Sequence, residues 1–192
     1  MTNKFKLTFF SIITALTINS CGKTEKDNSK IVDTKVIVND TNKQIKEQKS
    51  PINIGGTYSF GDDVEKGPVG SVKIYPLTNN TALFYLDVCR GAPSYNQGQF
   101  FGQMTIKDNV GIFSTKDEIE DLDCILKFEF SKGQLKIATE PGHDNCGFGG
   151  NVYADNIYYL INKSNPKYFI EPEGDTIIFK GLTVEKYEKR FE

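Results

Sequence analysis

The chain has 192 residues, with 23 Lys and Arg against 25 Asp and Glu and a formal net charge of −2. That slight acidity excludes the dense basic surface that nucleic acid requires. Nine Tyr, 14 Phe and no Trp describe an aromatic-rich β core, and the length is enough for one core of modest size.

In chain order, Lys4 and Lys6 come first, followed by the apolar residues Leu7, Phe9, Phe10, Ile12, Ile13, Ala15, Leu16 and Ile18. The run spans roughly a dozen residues, which suits a signal peptide and falls short of the ~20 that a spanning helix needs. It ends at Ile18-Asn19-Ser20-Cys21, which resembles a bacterial lipobox, with Asn19 in place of a usual small residue. The resemblance implies that residues 1–20 are a lipoprotein signal peptide and that Cys21 is lipidated, attaching the protein to a membrane through its N-terminal lipid. A plain secretory peptide or a single anchor helix is the alternative. Lys23, Glu25, Lys26 and Asp27 resemble the start of Bacteroidetes-type lipoproteins, in which charges near the lipidated cysteine can direct surface export. The expected location is the cell envelope, as an outer-membrane lipoprotein facing the periplasm or the surface. Cleavage after Ser20 removes Lys4 and Lys6 and no acid, so the charge becomes −2 − 2 = −4.

Residues 21–52 form the next unit. From Gly22 to Ser50 the chain is mainly Lys, Glu, Asp, Asn, Gln and Thr, with Ile31, Val32, Val36, Ile37, Val38 and Ile45 as its apolar residues. Too little apolar surface is available to offset ordering entropy, so the segment reads as a flexible tether with a mean reach of roughly 30 Å. A short strand or helix over Ile31–Val38 is the alternative.

Residues 53–192 carry period-two hydrophobicity broken every eight to twelve residues by turn chemistry, the signature of a single all-β antiparallel barrel or meander. About eight strands are predicted: Gly56–Phe60, Ser71–Leu77, Thr81–Arg90, Gln99–Lys107, Val110–Thr115, Cys124–Ser131, Gln134–Thr139 and Asn151–Leu160. Turns are expected at Thr78-Asn79-Asn80, Asp108-Asn109 and Ser131-Lys132-Gly133, and a long loop at Pro141–Gly150. Cys124, Leu126, Phe128, Phe130, Leu135 and Ile137 are predicted to face inward, and Ala82, Phe84, Leu86 and Val88 to share one side of their strand against Tyr85, Asp87 and Cys89 on the other. Asp175–Lys180 reads as one more strand, and Thr183–Phe191 fits helix or strand equally.

With Cys21 assigned to lipid, three cysteines remain in a compartment where disulfides persist. Cys124 begins the strongest strand and Cys146 leaves its hairpin partner, so the fold-back pairs them; Cys89–Cys146 is the alternative. Cys89 is then a free thiol, expected to be largely buried. A Cys89–His143 nucleophile and base would need the cysteine at a helix N-terminus, whereas here it ends a strand. His143, the one histidine, reads as an exposed loop residue. Glu140, His143 and Asp144 make a weak metal set, so no catalytic residue, metal or cofactor is assigned.

Two loops stand out. Arg90-Gly91-Ala92-Pro93-Ser94-Tyr95-Asn96-Gln97-Gly98 holds a cation, an aromatic and amides between glycines, and 145–155 holds Phe148 among glycines beside the disulfide. Arg90, Tyr95, Asn96 and Phe148 are the expected partner-binding residues; tight structural turns are the bland alternative. These loops and the Cys124–Phe130 strand resemble a pattern in small secreted and lipid-anchored bacterial domains of uncharacterised function. Gly91, Ala92 and Tyr95 also resemble the Ser-Gly-Ala-x-Tyr loop of membrane-bound inhibitors of c-type lysozyme, with Arg90 replacing the serine and one extra residue before the tyrosine. The expected function is a lipid-anchored, non-catalytic envelope protein that binds a protein or glycan partner through loops. The alternative is an envelope hydrolase acting on peptidoglycan or glycans.

Overall fold

The computed structural model describes residues 52–115 and 122–192. The signal segment, Cys21 and nearly all of the tether lie outside them. Eight strands build the main sheet of the described chain: β1 Gly56–Phe60, β2 Val69–Pro76, β3 Thr81–Cys89, β4 Gln97–Lys107, β5 Val110–Ser114, β6 Asp123–Ser131, β7 Gln134–Asn145 and β8 Asn156–Asn162. Each pairs antiparallel with the next, and β1 closes on β8, giving the expected all-β barrel. Closure leaves its backbone ladder without a free edge.

Local chemistry sets the register. Asp108 and Asn109 both adopt positive φ, 53° and 63°, and join Lys107 to its partner Val110 in a two-residue turn. Asp and Asn tolerate that left-handed geometry, which matches the strand twist of a hairpin. Strand parity then turns Phe84, Phe100, Phe113 and Phe128 into the lumen, where Phe84 lies 5.0 Å from Phe113 and 4.9 Å from Phe128. Gly102 on β4 faces inward and makes room for them, since a Cβ there would sit 2.6 Å from the Phe113 ring. The buried phenols of Tyr58 and Tyr158 donate to the carbonyls of Ile54 and Ala154 at 2.9 Å. Burial pushes Tyr58 up to about 12. The lumen is therefore a packed core, while Ser59, Lys73, Lys127, Glu129 and Lys136 lie on outward strand positions. That is the reverse of a lipid-spanning barrel, which is apolar outside.

Several expectations are corrected. The Pro141–Gly150 loop begins later, because β7 continues to Asn145; Cys124 pairs with Asp144 but Leu126 with Thr139, so the residues between them bulge from the ladder without ending the strand. His143 therefore lies on a strand, where its Nδ1 meets Asp123 Oδ1 at 2.7 Å. β8 starts at Asn156 rather than 151. Cys89 faces outward by strand parity and is half-buried rather than largely buried.

The C-terminal region builds a second core. β9 Tyr168–Ile170 and β10 Thr176–Ile178 form a hairpin, followed by α1 Val184–Glu188, whose Thr183 N-cap accepts from Lys186 N–H. Phe169, Ile177 and Phe179 cover Leu83, Tyr85 and Phe101 on the outside of β3 and β4, with Phe169 stacked 4.2 Å from Tyr85. Glu171 is buried here and accepts from the Tyr187 hydroxyl at 2.7 Å and from Arg190 at 2.8 Å. Burial pushes its carboxyl up, but those donors outweigh it and hold the group below its usual range.

The disulfide joins Cys124 to Cys146 across 22 positions. Constraining a loop of that length contributes about 3 kcal/mol by chain entropy, so chemical denaturation with and without a reductant is expected to differ by that amount. Glu171 has a depressed pKa, so its stabilisation is present above the unfolded carboxyl range and is lost as pH falls through the folded value. Acid melting curves are expected to show this loss in the parent and to show it weakened in Glu171→Gln.

Candidate functional site

Antiparallel connections alternate between the two ends of the barrel. The turns 77–80, 108–109 and 132–133 lie at one end, and the longer loops 61–68, 90–96 and 146–155 lie at the other. Arg90, Tyr95, Asn96 and Phe148 all belong to this long-loop rim.

The rim loops are tied to one another. Ala92 N–H donates to Val64 O at 2.9 Å, which joins the 90–96 loop to the 61–68 loop. Gly149 N–H donates to Gln97 O at 2.9 Å, and Asn96 Nδ2 donates to Gly150 O at 2.8 Å, which joins it to the 146–155 loop. Within the loop, Arg90 N–H reaches Asn96 O and Tyr95 N–H reaches Gly91 O. Tyr95 takes φ +52°, an uncommon conformation for an aromatic residue, and its hydroxyl donates to the Glu65 carboxylate at 2.7 Å. That acceptor pushes the phenol pKa up. Tyr95 remains 43% exposed, so it is a held surface residue rather than a core plug.

Phe148 is half-buried and packs against the barrel. Its ring lies over Gly98, where any Cβ would come within 2.5 Å, and 6.4 Å from Phe100. The half-buried ring caps the core and positions the loop. Asn96 likewise acts as a tie through its amide. The exposed aromatic on this loop is Tyr153, 67% exposed. The strand expected over Asn151–Leu160 includes Tyr153, and only the late start of β8 at Asn156 frees it. Glu65 was also missed, since nothing in its sequence context marks a partner 30 positions away.

Tyr153 stands between two shallow clefts. One, of ≈ 120 Å³, is lined by Phe60, Cys89, Arg90, Asn151 and Asp155. The other, of ≈ 290 Å³, is lined by Glu140, Asp144, Phe148 and Asp155. Neither reaches the size of an ordinary small-molecule pocket. Asp62, Glu65, Asp123, Glu140, Asp144 and Asp155 are exposed around this end, giving it an acidic field.

The hypothetical catalytic pair is not assembled. β3 and β7, which carry Cys89 and His143, lie four strands apart in either direction round the barrel. Cys89 Sγ accepts from Gly91 N–H at 3.4 Å, and His143 is engaged by Asp123. Among the described residues no three His, Cys, Asp or Glu side chains converge as metal ligands. No protein-family model, curated protein or solved structure matches the chain.

The two aromatic roles separate by stability. Phe148→Ala is expected to cost roughly 2 kcal/mol as a partly buried large-to-small change, whereas Tyr95→Ala leaves the melting temperature nearly unchanged. Thermal denaturation of both variants checks the assignment.

Proposed function

We propose that this chain is a lipid-anchored, non-catalytic protein of the cell envelope, held in the outer membrane through Cys21, whose barrel presents its long-loop rim to a protein or glycan partner in an inhibitor-like manner. The observation that carries this reading is the rim itself: loops cross-tied by backbone and side-chain hydrogen bonds, holding Tyr95 and Tyr153 outward beside shallow clefts. Pre-ordered loops bind with a smaller entropic loss, and outward aromatics are the usual centres of contact energy. A filled lumen leaves the surface, not an internal cavity, as the place for recognition.

A second reading, an envelope hydrolase acting on peptidoglycan or glycans, draws on Glu140, Asp144 and Asp155 around the larger cleft. Paired carboxylates are the machinery of glycoside hydrolysis. It requires that the purified protein release soluble sugars or peptides from cell-wall sacculi, and that Glu140→Gln or Asp144→Asn abolish the release.

Two measurements test the proposal. Metabolic labelling with a fatty acid is expected to mark the parent, and Cys21→Ser to lose the label and leave the membrane fraction. Affinity capture from envelope extracts is expected to retain a partner whose binding weakens at least about tenfold in Tyr95→Ala or Tyr153→Ala, with melting temperature unchanged. Unaltered capture by both variants overturns the rim as the binding surface.

A further inference from the structure

The near-neutral total charge conceals an axial separation. At the tight-turn end Lys107, Lys132, Lys136, Lys163, Lys167 and Lys180 are set against Asp108 and Glu129, for a local charge of +6 − 2 = +4 among the described residues. Lys107 and Lys132 flank the turns that join β4 to β5 and β6 to β7. The 163–167 segment reaches the same end: Asn165 and Pro76 crowd Gly55 so closely that no Cβ would fit there. Phe179 N–H donates to Lys167 O at 3.0 Å, which brings Lys180 beside it. At the opposite rim the cations among the described residues are Lys66, which pairs with Asp63, and the half-buried Arg90, against the six exposed acids named there.

The same end exposes large apolar side chains. Ile161, at the end of β8, is 65% exposed, Ile178 is 64% exposed and Leu77, in the turn after β2, is 43% exposed. The chain enters the fold here, with Ile52 N–H donating to Asn109 Oδ1 at 3.3 Å beside the β4–β5 turn.

We propose that the tight-turn end is a basal face that rests on an anionic phospholipid bilayer. Its lysines lie over the headgroups, Leu77 and Ile161 enter the interfacial layer, and the acidic rim points away from the surface. This inference rests on the lipid-anchor reading, which supplies the membrane. Three observations select a bilayer over other occupants: the positive sign of the face, lysines interspersed with Ile and Leu, and the arrival at this end of the segment that leads back to Cys21. Each lysine within a Debye length of an anionic surface raises partition about fivefold. The acidic rim is repelled by the same field, so charge alone sets the orientation.

The chain has no Trp, so a single introduced indole reports cleanly. The probe is the chain from position 21 carrying Cys21→Ser, which keeps every barrel residue and removes the lipid. Ile161→Trp and, separately, Tyr153→Trp are mixed with phosphatidylglycerol–phosphatidylethanolamine vesicles or with phosphatidylcholine vesicles. With anionic vesicles at low salt, the Ile161→Trp emission is expected to shift to the blue and to be quenched by brominated lipid. The Tyr153→Trp emission is expected to stay unchanged, and high salt or phosphatidylcholine to abolish the effect. Adding Lys163→Glu and Lys167→Glu is expected to weaken partition at least about 25-fold. An unshifted Ile161→Trp, a shift at Tyr153→Trp, or equal partition after charge reversal overturns the basal face. Fatty-acid label at Cys21 of the parent together with no vesicle binding removes the basal face alone. Vesicle binding without that label removes the anchor reading and leaves the face standing.

Discussion

Closure of β1 on β8 is the constraint from which the rest of the structure follows. Tyr58 pairs with Leu160 and Ser59 with Tyr159, residues about a hundred positions apart, and the ladder shifts register between Thr57 and Tyr58. Once that seam forms, every barrel strand has two neighbours and strand parity divides the side chains between a dry lumen and an outer surface. The aromatic rings of Phe84, Phe100, Phe113 and Phe128 fit inside only because small residues such as Gly102 face them. In a barrel of this size these rings fill the interior with side chains.

The outside is itself not uniform. Leu83 and Tyr85 on β3 and Phe101 on β4 are as apolar as lumen residues, and they would form a sticky wall if left open. The C-terminal hairpin and helix cover them, and a buried Glu171 held by Tyr187 and Arg190 fixes that cover in place. A buried carboxylate is costly unless its lone pairs are satisfied, so the cluster specifies one docking geometry for a segment that has little regular structure of its own.

The two ends divide the remaining work. Short turns bring lysines together at one end, while the longer loops gather acids, the disulfide and outward tyrosines at the other. The covalent link Cys124–Cys146 and the ring of Phe148 anchor the 146–155 loop, and hydrogen bonds pass that rigidity to the 90–96 loop. Loops ordered in this way lose less entropy on contact than free ones would.

The sequence alone determined the β class, most strand positions, the shared face of Ala82, Phe84, Leu86 and Val88, the inward row from Cys124 to Phe130, and the Cys124–Cys146 pair. These follow from period-two alternation and turn residues, which act over a few positions. It also marked the loops that carry Arg90 and Tyr95. Only the tertiary structure decided that β1 seals against β8, that Glu65 holds Tyr95, that Phe148 caps the core and that Tyr153 is the exposed ring. The same holds for the second core under residues 163–192 and for the separation of charge between the ends. Each of these depends on residues tens of positions apart meeting in space, and local periodicity carries no information about which distant partner a side chain will find.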